Sequence, residues 1–145
     1  MRAPAFPSVA RAVARSVAGR RNVQAAYIFG STATGRSRPE SDVDVAVLLA
    51  QRPGRGRTLT DRLRLIADLD SALHRSDVDV VILNDAPPLL AHRILSKGRL
   101  VFERSASARV RFQVRTAARY LDLIPMFETH IRYLRKKVRE GRVVG

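Results

Sequence analysis

Tyr27–Leu49 reads YIFGSTATGRSRPESDVDVAVLL, and its layout decides the fold. An apolar run rich in β-formers, Val23 to Phe29, reads as a strand and ends at Gly30-Ser31. A polar loop follows, and Asp42-Val43-Asp44 then opens an alternating strand that runs to Leu49. Gly30 permits a tight backbone turn and close approach of a ligand. Ser31 adds a hydroxyl beside free backbone N–H groups. A short helix begun over Ser31 to Thr34 would present an anion-favouring N-terminus, and Gly35 would break it. Phosphate-binding and metal-binding parts thus lie within one short stretch, which points to chemistry on a nucleoside triphosphate.

Side chains at i and i+2 of a strand share one face. Asp42, Asp44, Ala46 and Leu48 therefore face one way, and Val43, Val45, Val47 and Leu49 face the other, towards a core. Two carboxylates side by side repel unless a cation lies between them. Hard oxygen ligands of this kind suit Mg²⁺, which binds through one or two carboxylates plus substrate phosphates. A second acidic strand, Val78 to Leu83 in SDVDVVILN, carries Asp79 on one face with Val81 and Leu83. Pairing of this strand beside the first would complete a three-carboxylate cluster able to hold two metals roughly 3.5–4 Å apart, the spacing used for in-line phosphoryl or nucleotidyl displacement. Asp77 has the same parity as Asp79, so parity does not choose between them.

These residues resemble the polymerase-β-like nucleotidyltransferase superfamily, whose motif is Gly-Ser, a spacer, Asp-x-Asp and a later Asp. The similarity is greatest to its smallest branch, the minimal nucleotidyltransferase (MNT) proteins. It covers the FGS turn, the SDVDVAVLL strand, the VDVVILNDAPPLLAHRILSKGRLVFER block and the RTAARYLDLIPMFETHIRYLRKK tail. The resemblance implies an α+β (mixed α/β) fold: a small mixed sheet flanked by helices, with a C-terminal helical segment. It also implies roles. Gly30 and Ser31 would hold the triphosphate, Asp42 and Asp44 would bind metal, and Asp79 would be the third acid. Arg36, just after the turn, could reach the triphosphate through its planar fork. The implied cofactors are two Mg²⁺ ions, with ATP as substrate. Many proteins of this branch are antitoxins that assemble with a HEPN-domain ribonuclease toxin and move AMP from ATP onto a toxin tyrosine. The motif gives the reaction class and leaves the acceptor open. RNA modification and non-catalytic masking of a toxin stand as the alternatives.

The chain of 145 residues reads most simply as one nucleotidyltransferase domain. Its core is expected over about residues 8–104, with C-terminal helices over about 106–140. A chain of this size buries roughly 68–70% of its unfolded surface. The absence of cysteine excludes disulfides and thiolate metal sites. No stretch approaches a membrane span, and the arginine-containing N-terminus has no continuous apolar segment of the secretory type. Both features fit a cytoplasmic protein. The net charge of +14 is uneven. Residues 1–21 hold five arginines and no acid, residues 22–98 ten bases against nine acids, and residues 99–145 twelve bases against four acids. Such basic ends attract ATP, RNA or an acidic partner, although arginine at 24 to three lysines also fits GC-rich coding.

The remaining sequence predicts helices around this sheet. Ser8 is expected to cap a helix with Val9, Val13 and Val17 at helical spacing. Thr60 should cap a second, running to about Arg75, with Leu59, Leu63, Ile66, Leu69 and Leu73 as its apolar stripe. Asn84 or Asp85 should cap a third that begins at Pro87-Pro88 and ends at Gly98, before a strand over Arg99 to Glu103. From about Ala106 the chain is helical, with Val110, Val114, Ala117 and Leu121 on one face, and Pro125 is expected to break or kink it. His74, His92 and His130 lie on separate helices with no metal-binding spacing. No P-loop or hydrolase-elbow motif is present.

Overall fold

The computed structural model describes residues 6–30, 33, 42–51, 54 and 57–141. Four strands, β1 (Val23–Phe29), β2 (Val43–Leu49), β3 (Val78–Ile82) and β4 (Arg99–Glu103), form one sheet in the order β3-β2-β1-β4. β1 pairs antiparallel with both β2 and β4, while β2 and β3 run parallel. A parallel pair needs a crossover connection, here the helix α2 (Arg57–Leu73). The fold is therefore α+β, built on a small mixed sheet as the sequence implied. Helices α1 (Phe6–Ala18), α3 (Pro88–Lys97) and α4 (Ala106–Arg139) complete it.

The alternation of β2 divides the interior. Val43, Val45, Val47 and Leu49 join Val9, Val13 and Val17 of α1 and Leu65 and Leu69 of α2 in one buried cluster. Ala46 and Leu48 face the other layer, with Tyr27, Ala91 and Ile94 buried and Phe112 packed against them. Each fully buried Val, Leu or Ile contributes roughly 1.5–3 kcal/mol relative to exposure.

Several local expectations are corrected. α1 starts at Phe6, so Ser8 lies inside the helix and does not cap it; the Arg99 guanidinium stacks 3.7 Å over the Phe6 ring and holds that first turn. Likewise α2 starts at Arg57, which puts Thr60 inside the helix. Leu69 of the expected stripe is buried, and Ile66 and Leu73 pack against the core, but the first part of the stripe is rotated. Leu59 and Leu63 are exposed and Leu65 and Leu69 buried, so the stripe runs Thr58, Arg62, Leu65, Leu69 at three- and four-residue intervals. Its first two members are polar and find polar partners: Thr58 donates to the Asp85 carboxylate at 2.5 Å and Arg62 to Asp79 at 2.9 Å.

Neither Asn84 nor Asp85 caps α3, whose flanking residue is Pro87 with no side-chain cap. Asp85 is taken by Thr58. Asn84 instead acts as a strand partner at the end of β2, accepting from the Leu49 N–H at 2.8 Å and donating to the Leu49 carbonyl at 2.9 Å. The second acidic strand ends at Ile82, because Leu83–Asp85 form a short 3-10 turn. α4 is one helix of 34 residues that passes through Pro125. Pro125 and Leu121, whose carbonyl lacks the missing N–H partner, are both exposed residues, and Thr129 Oγ donates to the Pro125 carbonyl at 2.9 Å. Val110, Val114 and Leu121 are exposed. The helix docks instead through Phe112 and through Tyr120, whose ring stacks 3.7 Å from His92 on α3. Among the described residues no helix is long and apolar enough to cross a membrane.

Candidate active site

Parallel pairing of β2 with β3 sets Asp44 directly opposite Asp79. Paired residues in adjacent strands project to the same side of a sheet, so these two carboxylates are neighbours on the face that also carries Ala46 and Leu48. On its other side Asp44 pairs with Phe29, the last residue of β1. Gly30 follows with φ +74°, in the left-handed region that glycine adopts without penalty. A Cβ at Gly30 would run into the Asp44 carboxylate. Glycine is therefore required twice at this turn, once for its backbone angle and once to leave room beside Asp44. Asp42 is exposed and immediately precedes β2. Ser31 and Arg36, the other residues expected to hold the triphosphate, lie outside the described residues.

The charges are frustrated in a way that suits a cation. Burial pushes the Asp44 carboxyl above the usual carboxylate range, and the negative charges of Asp79 and then Asp42 push it further. Asp79 is about half exposed. Its Oδ1 accepts from Arg62 at 2.9 Å and from the Val80 N–H at 3.0 Å. Asp77, the carboxylate of equal parity, is committed elsewhere. Arg75 Nε and Nη2 grip its two oxygens at 2.7 Å each, and that bidentate pairing pulls the Asp77 carboxyl below its ordinary value. Asp77 also precedes β3 and so falls outside the register that joins Asp79 to Asp44.

Arg62 and Arg75 were absent from the candidate residues read from sequence. Arg75 carries a faint signal, an arginine two residues from an aspartate. Arg62 carries one only in hindsight, as a polar residue in the sheet-facing stripe of α2. The three histidines take no part in the carboxylate group: His74, expected on a helix, lies in the turn just after α2 with φ +53°, His92 stacks on Tyr120, and His130 lies on the exposed half of α4. A separate cleft lined by Arg111, Arg115, Arg119, Asn84 and Leu48 lies at the far end of β2 from Asp44.

The donors available around Asp44 are hard oxygens, the set that Mg²⁺ takes, and a cation between them would relieve the repulsion that raises the Asp44 carboxyl. The residues fit a divalent metal in kind. Among the described residues no three carboxylate or imidazole groups converge on one point in the present rotamers, and Asp79 is turned to Arg62.

A strand–Gly-turn–Asp-x-Asp strand with a parallel acidic strand beside it defines a nucleotidyltransferase, and the sequence comparison gives the same class. Residues 13–107 match the family described as Polymerase beta, Nucleotidyltransferase, and the chain belongs to that family. The protein adenylyltransferase MntA of Shewanella oneidensis is 34% identical over 103 residues, which cover 70% of this chain and 68% of that protein. Among solved structures, a toxin–antitoxin with AMP-PNP is similar at a TM-score of 0.72 and 26% identity, covering 86% of this chain and 97% of that one. A complex of the tri-AMPylated Shewanella oneidensis HEPN toxin with its MNT antitoxin is similar at a TM-score of 0.68 and 25% identity, covering 89% and 98% of the two chains.

Proposed function

We propose that this chain is a Mg²⁺-dependent protein adenylyltransferase that serves as an antitoxin, transferring AMP from ATP to a tyrosine of a HEPN-type ribonuclease toxin. The observation that carries the chemistry is the in-register Asp44–Asp79 pair beside Gly30. The acceptor and the antitoxin role rest on the similarity to the Shewanella proteins. The reading assigns Asp42, Asp44 and Asp79 to two Mg²⁺ ions and Gly30, Ser31 and Arg36 to the triphosphate.

In this reading the tyrosine oxygen attacks the α-phosphorus of ATP. An O–P bond forms, the bond from the α-phosphorus to the bridging oxygen breaks, and diphosphate leaves. The phenolic proton passes to a carboxylate of the trio. Bound metal supplies neutralisation of the developing phosphate charge and orientation of the triphosphate. The chain itself contributes positioning. Gly30 admits phosphate close to the backbone, and the rigid β2–β3 register fixes Asp44 against Asp79. Catalysis of this class is mostly such positioning and electrostatic stabilisation. The reading puts the protein in the cytoplasm, in complex with its toxin.

The test is transfer of label from α-labelled ATP with Mg²⁺ to a co-expressed HEPN toxin, followed by intact-mass analysis. Toxin heavier by whole AMP increments, with loss of its ribonuclease activity, is expected. Label in RNA with none in the toxin would move the chain to RNA modification. Neutralisation of the toxin by an Asp42→Ala/Asp44→Ala variant would mean masking without catalysis.

A further inference from the structure

Asp79 is the carboxylate set opposite Asp44 in the β2–β3 register, and it is also the one held by an arginine from another layer of the molecule. Arg62 belongs to α2, whose Leu65 and Leu69 pack in the buried cluster on the opposite face of the sheet. β3 is one of the two edge strands, so the Arg62 side chain reaches round that edge to place Nη2 2.9 Å from Asp79 Oδ1. The position of Arg62 on the helix favours the contact. Arg62 stands in the sheet-facing stripe three residues before Leu65 and seven before Leu69, and its neighbour in that stripe, Thr58, likewise reaches across, to Asp85.

We propose that Arg62 is a built-in counter-ion for the third carboxylate: its guanidinium balances Asp79 when no metal is bound and competes with the metal for that oxygen. The inference rests on the metal-site reading given under Proposed function. The electrostatics require some such balance. The strand register sets Asp44 beside Asp79, and Asp42 lies two residues before Asp44, so like charges are held close together. A guanidinium on Asp79 lowers the repulsion from one corner only, and leaves Asp44 to attract the cation. Metal entry then exchanges a divalent ion for Arg62 at Asp79. A triphosphate arriving with the metal offers the released guanidinium a new anion. Metal would therefore load weakly alone and better together with nucleotide, which keeps the empty enzyme from holding metal idly.

The pair is partly exposed, at 44% for Arg62 and 51% for Asp79, so the competition is modest. The experiment is Mn²⁺ binding to the nucleotide-free protein, followed by the electron paramagnetic resonance signal of free Mn²⁺. Wild type, Arg62→Ala, Arg62→Gln, Asp79→Ala and the Arg62→Ala/Asp79→Ala double variant are compared, with Asp44→Ala as reference. Arg62→Ala and Arg62→Gln should bind Mn²⁺ about two- to fivefold more tightly than wild type, the range of a partly exposed ion pair. The gain should vanish in the Asp79→Ala background, because the two changes act on one contact. Thermal melts confirm that each variant is folded, and Arg62→Gln keeps a long side chain on α2 should the alanine disturb the helix. Unchanged or weaker Mn²⁺ binding in both Arg62 variants overturns the proposal, as does a gain that persists without Asp79. Binding that is equally strong in Asp44→Ala overturns the metal-site reading itself. Binding that needs Asp44 but ignores Arg62 leaves that reading standing and removes only the role of Arg62.

Discussion

On one face of β2, Val43, Val45 and Val47 are fully buried and Leu49 nearly so, closed in by α1 and α2. On the other face of the same strand Asp44 is half-buried against Asp79, with Gly30 kept bare beside it. The first face is satisfied: apolar atoms meet apolar atoms and nothing is left to bind. The second is strained by design of its charges, with a carboxyl pushed upward by burial and by its neighbours. The start of the strand thus sets core residues on one face and a carboxylate on the other, while Ala46 and Leu48, further along the carboxylate face, return to a buried cluster. Stability and activity should therefore separate between Val43 and Val45 on one face and Asp44 on the other.

Substitutions that respect or violate this parity test it. The largest expected effect is on transfer. Asp44→Ala should lower the AMP-transfer rate about 10³-fold, since a metal supplies several kcal/mol of charge stabilisation, while the melting temperature does not fall. Rates from α-labelled ATP and thermal melts measure the two sides. Next is Gly30→Ala, which acts on both. A left-handed angle costs an alanine about 1–2 kcal/mol, and the new Cβ displaces the Asp44 carboxylate, for about a 10²-fold loss of rate. Val45→Ala is the converse of Asp44→Ala: about 1.5–3 kcal/mol of stability lost in urea unfolding, with transfer unchanged at temperatures where the variant stays folded.

Two smaller effects concern pH. The Asp44 carboxyl is raised in the folded protein, so its contribution to stability is present at low pH and is lost as pH rises through the folded value. Asp44→Asn should therefore melt above wild type at neutral pH, with the gap closing in acid. Millimolar Mg²⁺ should narrow it by stabilising wild type alone. Asp77 has the opposite sign. Its lowered carboxyl stabilises the fold above the unfolded value, and that contribution disappears as pH falls through the folded value. Arg75→Ala should remove this acid-side loss, at a cost near neutrality of about 0.2–1 kcal/mol, and leave transfer nearly unchanged.

Much of this arrangement was legible before the fold was known, because strands declare themselves through period two. The alternation of Asp42 to Leu49 gave both faces of β2 correctly, and the apolar run at Val23–Phe29 gave β1 to the residue. The pairing of β2 with β3 was a condition and not a result of the sequence, since no local signal fixes which strands become neighbours. Asp77 and Asp79 could not be separated by parity. The structure distinguishes their surroundings through the Arg75 fork and the strand register, both tertiary facts. Helical faces were less readable. Ile66, Leu69 and Leu73 do pack in or against the core, yet Leu59 and Leu63, which share their spacing, are exposed, and the burial of Leu65 shifts the start of the stripe and brings Arg62 towards the sheet. Pro125 suggested a break or a kink; the helix is not broken there, since an exposed proline in a long helix loses one hydrogen bond and little else.

The most direct test of the central claim is a crystal structure of the protein soaked with Mn²⁺ and a non-hydrolysable ATP analogue, with anomalous scattering used to locate the metal. Metal peaks within coordinating distance of Asp44 and Asp79, with the triphosphate against Gly30 and Arg62 withdrawn from Asp79, are expected. Nucleotide bound elsewhere, for instance along Arg111, Arg115 and Arg119 at the opposite end of β2, with no metal at Asp44, would contradict the account.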